Sequence, residues 1–495
     1  MVETLHLPTK ERTAEFNAQG LQTDELGRPI HPWIAARGKE FPEQSELWQW
    51  GPNAAADAIV FNQDKPQVLL IQRRDGTWAS AGGFIDATDK SPAHAAAREA
   101  WEEERIRLDP AEALPVYEGI VADTRSGKYS WTTSAAFLWR TSIKLDTLSA
   151  GDDAQGIRLA NLAKVSQEEL SGSHQFMIQQ AIERYGTLLE KTLYFANRIG
   201  DGTQVADGHM SYNKRINFLP THDAVFIKKF APAEFTDKDR AARSLLYLQK
   251  EADTYKLLKN NEYPYTPEQA GYYDGLLVME ALLGERDWTW RHPKSSESKN
   301  QYIADTFEAL GTLSEIALPQ ATSEIKSSFV SFAGEGWDMY DYDSKQKIID
   351  KLHTYACEVQ NDELSNAAYK LSDNLDDLRA AFCTTDYDQP MVMCHHDFRE
   401  SNFAWHPQHG VKIIDWSWAG PGLKNSDATT FLIDLHKRGV NVAPHMERFN
   451  KDHALMMIGF WLMHSTWPPC GNTDVRFQQM HSAVAAYSLL GQLQG

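Results

Sequence analysis

The sequence predicts two α+β domains in one chain: a first domain of short strands around one strong helix, and a second in which a small sheet-containing lobe precedes a mainly helical lobe. Three observations carry this. The chain has 495 residues, whereas single hydrophobic cores stop growing at roughly 250 to 300. Through about residue 165 short apolar runs at 58–61, 68–72 and 135–139 alternate with turn residues, and only 91–106 shows a long helical period. After Gly284 the pattern turns helical, broken by two short apolar strands at 391–394 and 411–415.

Aliphatic and aromatic residues make up 42% of the chain and charged residues 24%, so there is apolar material for two cores. The formal charge of −19 opposes a phosphate backbone and excludes general nucleic-acid binding, while leaving small phosphorylated ligands open. Cys357, Cys383, Cys394 and Cys470 form no metal-ligand spacing, which fits a reduced, cytoplasmic setting. No basic segment followed by an apolar run stands near Met1, and the most apolar stretch, 454–463, is about half a bilayer span, so a buried helix and no membrane partner are expected.

The segment 167–196 reads as helical, with apolar Leu170, Phe176, Ile178 and Ile182, and the domain boundary is placed near Tyr185. A first domain over 1–185 and a second over 186–495 follow, the latter with a small lobe at about 200–283 and a helical lobe at about 284–495. The small lobe surrounds a helix at 241–259, and PKSSESK at 293–299 reads as an exposed loop.

Within GGFIDATDKSPAHAAAREAWEEERI, residues 82–106, Ser91 is a good N-cap and Pro92 suits the first helical position. On the helix that follows, Glu99, Glu102 and Glu103 share one face, with Ala93, Ala97 and Trp101 opposite. Like charges so spaced call for open solvent or a cation, and hard oxygen donors favour Mg²⁺ or Mn²⁺.

This stretch resembles the Nudix box, G-x5-E-x7-R-E-U-x-E-E-x-G-U with U apolar, through Gly83, Arg98, Glu99, Ala100, Glu102, Glu103 and Ile106. It departs twice: the loop glutamate falls at Asp89 or Lys90, with one extra residue before Arg98, and the late glycine is Arg105. The resemblance extends over about 47–185, where WGPNAAADAIV, QRRDGTWASAGGFID, GDDAQGIRL and SGSHQFMIQQA look like animal ADP-ribose pyrophosphatases. It implies a Nudix α/β/α sandwich with an N-terminal extension and hydrolysis of ADP-ribose to AMP and ribose 5-phosphate. It also implies Glu99, Glu102 and Glu103 as metal ligands, Glu102 and Glu103 as catalytic, and Arg98 as the residue that orients a glutamate. Gly82, Gly83 and the turn at Asp152 and Asp153 are implied to meet substrate, although Asp and Gly are also ordinary turn residues.

In the second domain, MVMCHHDFRESNFAW at 391–405 brings His395, His396 and Asp397 to the end of a strand, with Asn402 five residues on and Asp415 closing the next strand. Phosphoryl transfer needs an aspartate to accept the hydroxyl proton and an Asn and an Asp to hold Mg²⁺ on the phosphates. The arrangement resembles the H-G-D-x-x-x-x-N and I-D-(W/F) motifs of aminoglycoside phosphotransferases and choline kinases over about 205–440, with His396 in place of the usual glycine.

That resemblance implies a bilobal protein-kinase-like fold using ATP. It further implies that Lys228 of VFIKKF, with Lys229 its neighbour, grips the phosphates, that Glu251 pairs with the lysine, that Glu280 and Ala281 offer backbone groups to adenine, and that Gly208 and Ser211, with Asn213, form a phosphate-covering turn. The expected function is bifunctional: nucleotide-sugar hydrolysis plus ATP-dependent phosphorylation of a small-molecule hydroxyl. Two alternatives stay open from sequence, a first domain that senses ADP-ribose without cutting it and a second that is a nucleotide-binding pseudokinase.

Overall fold

The computed structural model describes residues 6–144, 148–151, 154–165, 170–195, 203–207, 212–217, 224–229, 238–268, 271–318, 332–385, 389–468 and 474–493. The chain separates into two compact units, Met1–Asp201 and Gly202–Gly495.

The first unit opens with α1 (Lys10–Ala18) and α2 (Pro32–Arg37). A seven-stranded sheet follows: β1 (Gly51–Asn62), β2 (Gln67–Gln72), β3 (Trp78–Ala79), β4 (Ala81–Phe84), β5 (Leu114–Ile120), β6 (Ser130–Thr141) and β7 (Gly156–Asn161). Its spine is β1, which runs parallel to β6 along its whole length and on its other edge pairs first with β4, Ala55–Ala58 against Phe84–Ala81, and then with β2. Side chains alternate across β1 as a pleat requires. Ala56 and Ala58 join a cluster with Ala95, Ala96 and Ala100 of α3 (Pro92–Glu104), small residues that let this helix lie close to the sheet. Ile59 and Phe61 point the other way, onto Met177, Ile178 and Ile182 of α5 (His174–Tyr185). The unit is thus the expected α/β/α sandwich.

The segment expected to be one helix is several. Beside α5 lie α4 (Leu162–Val165) and α6 (Leu188–Phe195), while Leu170 bridges to Trp78 and Phe176 stays 47% exposed. The first unit also runs past Tyr185, because Tyr194 is buried in its core and Arg140 clasps Glu190 at 2.7 and 2.8 Å.

The second unit begins with an antiparallel sheet in the order β11-β12-β10-β9-β8: β8 (Thr203–Asp207), β9 (Tyr212–Asn217), β10 (Ala224–Lys229), β11 (Gly271–Tyr273) and β12 (Leu276–Glu280). The helix α7 (Lys238–Asn260) lies between β10 and β11 in sequence. The helical lobe comprises α8 (Ser296–Ser314), α9 (Tyr342–Glu358), α10 (Asp362–Asp373), α11 (Leu375–Thr384), α12 (Ser426–Lys437), α13 (Lys451–Ser465) and α14 (Asp474–Gln492). The loop expected at 293–299 ends early: Ser295 caps α8 by accepting from the Ser298 amide, so the Ser-rich run is a helix start. The two late strands do not pair with each other. β13 (Met391–Cys394) pairs with β16 (Gly420–Leu423), and β14 (Phe403–His406) with β15 (Gly410–Ile413). α13 is buried along most of its length, and among the described residues no helix is long and apolar enough to cross a membrane.

Candidate active sites

In the first unit α3 starts as its sequence dictates, with Ser91 accepting from the His94 amide and Pro92 in the first turn. It ends at Arg105, whose φ of 57° is left-handed. Arg98 organises the loop before the helix. Its Nε and Nη2 donate to Asp89 Oδ1 and Oδ2 at 3.2 and 3.0 Å, and Nη2 also reaches the Phe84 carbonyl at 3.1 Å. Asp89 therefore makes the carboxylate contact to Arg98 across the irregular loop, and the guanidinium bonded to it holds it down to about 2.

The Nη1 of Arg98 lies between Glu99 Oε1, 2.8 Å away, and Glu102 Oε2, 3.0 Å away. Glu103 turns aside and accepts from the Gly82 amide at 2.9 Å. Burial raises it to about 7, with Glu99 and Asp57 adding repulsion. In this geometry no group of three His, Cys, Asp or Glu side chains among the described residues is arranged to hold a metal ion. The residue types still fit one. A Cβ on Gly83 would overlap the Glu99 carboxylate and one on Gly82 would overlap Asp57, so the two glycines let two carboxylates crowd against one strand, with Glu103 held at the Gly82 amide.

Three residues at this site escaped sequence reasoning. Asp57 is buried within the otherwise apolar run 54–61 of β1, accepts from the Ser134 hydroxyl, and has the buried His174 Nδ1 3.9 Å from its Oδ1. Burial lowers His174, favouring the neutral ring. An acid within an apolar run was the available signal. Asp152 and Asp153 lie outside the described residues, although Gly151 before them donates to the Glu103 carbonyl at 2.9 Å.

In the second unit one cavity of about 1280 Å³ is lined by Lys228, Glu251, Glu280, Ala281, Asp397, Asn402 and Asp415. β10 carries Lys228 inward, where its Nζ donates to both Glu251 oxygens at 2.8 and 3.0 Å and to Asp415 Oδ1 at 3.1 Å. Burial works against the ammonium, but Asp415 and Glu251 more than offset it and hold the lysine above its usual range. At the end of β12 the Glu280 amide donates to the Glu268 carbonyl at 3.3 Å, so of the expected hinge pair its N–H is already engaged. Gly208 and Ser211 lie outside the described residues, and Asn213 falls in β9 opposite Lys228.

After β13 the chain turns through His396, whose φ of 67° is left-handed, so a non-glycine residue keeps a glycine-like backbone. Asp427 on α12 steadies this turn by accepting from the His395 and His396 amides at 2.6 and 2.9 Å. The His396 ring is buried, its Nε2 2.8 Å from the Pro421 carbonyl, and a Cβ on Gly422 would come within 2.5 Å of that ring. Asn402 Nδ2 donates to Asp397 Oδ2 and to the Asp397 carbonyl, each at 2.8 Å, and the Asn402 carbonyl accepts from the Ile414 amide, tying the loop to the strand before Asp415. Arg399 Nε sits 3.2 Å from Asp397 Oδ1. Asp427, Gly422 and Arg399 were not singled out from sequence; the first two act across turns no local pattern reveals.

Residues 51–176 match the NUDIX domain model and residues 220–443 match the phosphotransferase enzyme family model. The chain therefore carries a Nudix hydrolase domain followed by a kinase-like phosphotransferase domain. No curated protein matches it in sequence. Among solved structures, the Nudix domain of Shewanella oneidensis NrtR complexed with ADP ribose is 21% identical, over 36% of this chain and 99% of that one, at a TM-score of 0.23. A bifunctional NMN adenylyltransferase/ADP ribose pyrophosphatase from Francisella tularensis is 22% identical, over 28% and 43%, at 0.23. Plasmodium vivax ethanolamine kinase is 14% identical, over 64% and 89%, at 0.35.

Proposed function

We propose that the chain is a bifunctional enzyme: its first unit hydrolyses ADP-ribose, or a closely related nucleoside diphosphate-linked compound, to AMP and ribose 5-phosphate, and its second transfers phosphate from ATP to a small-molecule hydroxyl. The observation that supports it best is the gathering of Lys228, Glu251, Asp397, Asn402 and Asp415 around one cavity, although the chain brings them from four separate segments. Each matches a need of phosphoryl transfer. Asp397 accepts the acceptor's hydroxyl proton, Lys228 grips the ATP phosphates and is held by Glu251, and Glu280 and Ala281 flank adenine. Asn402 and Asp415 would hold Mg²⁺.

In the first unit Glu99, Glu102 and Glu103 would hold Mg²⁺ or Mn²⁺, with Glu102 and Glu103 at the reacting diphosphate and Gly82 and Gly83 giving close backbone approach. The cation supplies positive charge against the diphosphate. Arg98 keeps the helix carboxylates in place through Asp89 and Phe84. Asp152 and Asp153 would meet the terminal ribose.

Purified protein incubated with ADP-ribose and Mg²⁺ should release AMP and ribose 5-phosphate in equal amounts, and Glu103→Gln should not. A metabolite screen with ATP, comparing wild type with Asp397→Asn, identifies the acceptor. No AMP from ADP-ribose or related diphosphates would sink the hydrolase half; identical ATP consumption by the two proteins would sink the kinase half.

A further inference from the structure

Around Asp397 the cavity of the second unit is walled by both signs of charge, and the protein has engaged its acids there more fully than one of its cations. Glu400 is buried, its Oε1 accepting from the His292 amide at 3.0 Å and its Oε2 lying 2.5 Å from Arg438 Nη2. Asp434 accepts from the Glu400 amide and from Lys437 Nζ, each at 3.2 Å. Glu335 lies 3.0 Å from His464 Nε2. Each of these carboxylates is already matched by a donor of the protein itself.

The Arg399 guanidinium is largely unmatched. Arg399 stands between buried Phe398 and buried Glu400, and the Asn402 amide donates to its carbonyl at 2.8 Å, so the backbone that carries it is held in place. Its side chain lines the cavity yet is 55% exposed. Among the described residues its side-chain partner is Asp397, whose Oδ1 lies 3.2 Å from Nε, while the N–H groups on Nη1 and Nη2 have none. Asp397 has a second donor, Asn402 Nδ2 at 2.8 Å, and does not depend on the arginine. A planar fork of unused donors beside the proposed base matches an oxyanion in bidentate fashion. An ammonium group placed there would meet a like charge and find the neighbouring acids already engaged.

We propose that the phosphoryl acceptor is an anion: a small hydroxyl compound carrying a phosphate or carboxylate group, which the Arg399 fork holds while the hydroxyl lies against Asp397. This rests on the reading of the second unit as an ATP-dependent phosphotransferase. In the step, the acceptor oxygen bonds to the γ-phosphorus and the bond from that phosphorus to the β–γ bridging oxygen breaks; the hydroxyl proton passes to Asp397 and ADP leaves. Arg399 takes no part in the proton transfer and instead fixes which hydroxyl reaches Asp397. Ribose 5-phosphate, the ester that the first unit is proposed to release, belongs to this class of acceptor.

The test uses full-length protein with Mg²⁺ and a saturating non-hydrolysable ATP analogue. Calorimetry compares ribose 5-phosphate, glycerol 3-phosphate and glycerate with uncharged ribose and glycerol, and ADP release from ATP gives the turnover of each and of ethanolamine. At least one oxyanion compound should bind about ten- to a hundredfold tighter than its uncharged counterpart, the range of charge-assisted hydrogen bonds to one guanidinium. Arg399→Ala should abolish that preference, Arg399→Lys should keep part of it, and both should hold the ATP analogue within about twofold of wild type. Because ribose 5-phosphate is also a product proposed for the first unit, only binding that depends on Arg399 counts. The inference is overturned by no oxyanion preference in wild type, by a preference that survives Arg399→Ala, or by faster turnover of ethanolamine than of every oxyanion compound. An equal loss of affinity for the ATP analogue would assign the fork to the nucleotide and overturn it too. Oxyanion binding with the expected Arg399 dependence, but no ADP released with any compound, defeats the phosphotransferase reading alone.

Discussion

The end of α3 and the turn after β13 each pass through a left-handed residue that is not glycine: Arg105 at φ 57° and His396 at φ 67°. For an L-residue that conformation costs roughly 1 to 2 kcal/mol. The two regions meet that cost differently. Arg105 closes a helix with contacts to one residue of its own last turn: its amide and its Nη1 donate to the Trp101 carbonyl at 3.2 and 3.5 Å, and its guanidinium lies 5.8 Å from the Trp101 ring. His396 is enclosed, with Asp427 receiving its amide, Pro421 facing its ring and Gly422 left without a Cβ where that ring sits. A left-handed residue at a helix end needs only local hydrogen bonds, whereas one that aims a loop carrying Asp397 is over-determined by its surroundings.

The largest expected contrast is functional. Asp397→Asn should lower ATP-dependent phosphorylation by about 10² to 10⁴-fold, as loss of a positioned base does, and leave ADP-ribose hydrolysis unchanged; parallel loss of both activities would mean the units do not work independently. Next comes the His396 enclosure. Gly422→Ala should destabilise the second unit by about 1 to 3 kcal/mol through overlap with the imidazole. His396→Gly should cost stability by emptying a buried site, and in the double variant the Gly422→Ala penalty should largely vanish; additive losses in thermal unfolding would show that the two residues do not interlock.

A smaller effect is expected at Asp89. Its carboxyl is depressed from 3.8 to about 2, mainly by Arg98, so the pair stabilises the folded state above the unfolded value and loses that contribution as pH falls from about 4 toward 2. Asp89→Asn should cost about 1 to 2 kcal/mol at neutral pH and flatten the acid limb of a stability-against-pH curve; an unchanged acid limb would detach Asp89 from loop closure. The smallest effect is at Arg105, where Gly should be neutral or stabilising by up to about 1 kcal/mol in the same unfolding assay. A marked loss there would give the helix end a packing role.

Much of both sites was legible because the chemistry sits on short segments. Ser91 and Pro92 started α3, the 99–103 spacing placed three carboxylates on one helix, and Asp397 and Asn402 lie within one loop. Lys228 and Glu251 were legible only through their order along the chain, since nothing local distinguishes them from surface charges.

Periodicity, capping chemistry and motif spacing are local properties of a chain, and they sufficed for the two-domain α+β division, the caps, the helix bearing three glutamates and the loop bearing Asp397 and Asn402. Tertiary structure decided what happens where distant segments meet. It placed Arg98 between Glu99 and Glu102 and buried Asp57 beside Ser134 and His174. It also fastened the His396 turn to Asp427 and set Trp48 against Phe84. Such contacts depend on where whole strands and helices come to rest as their apolar faces are buried, and no local pattern around any one of these residues carries that information.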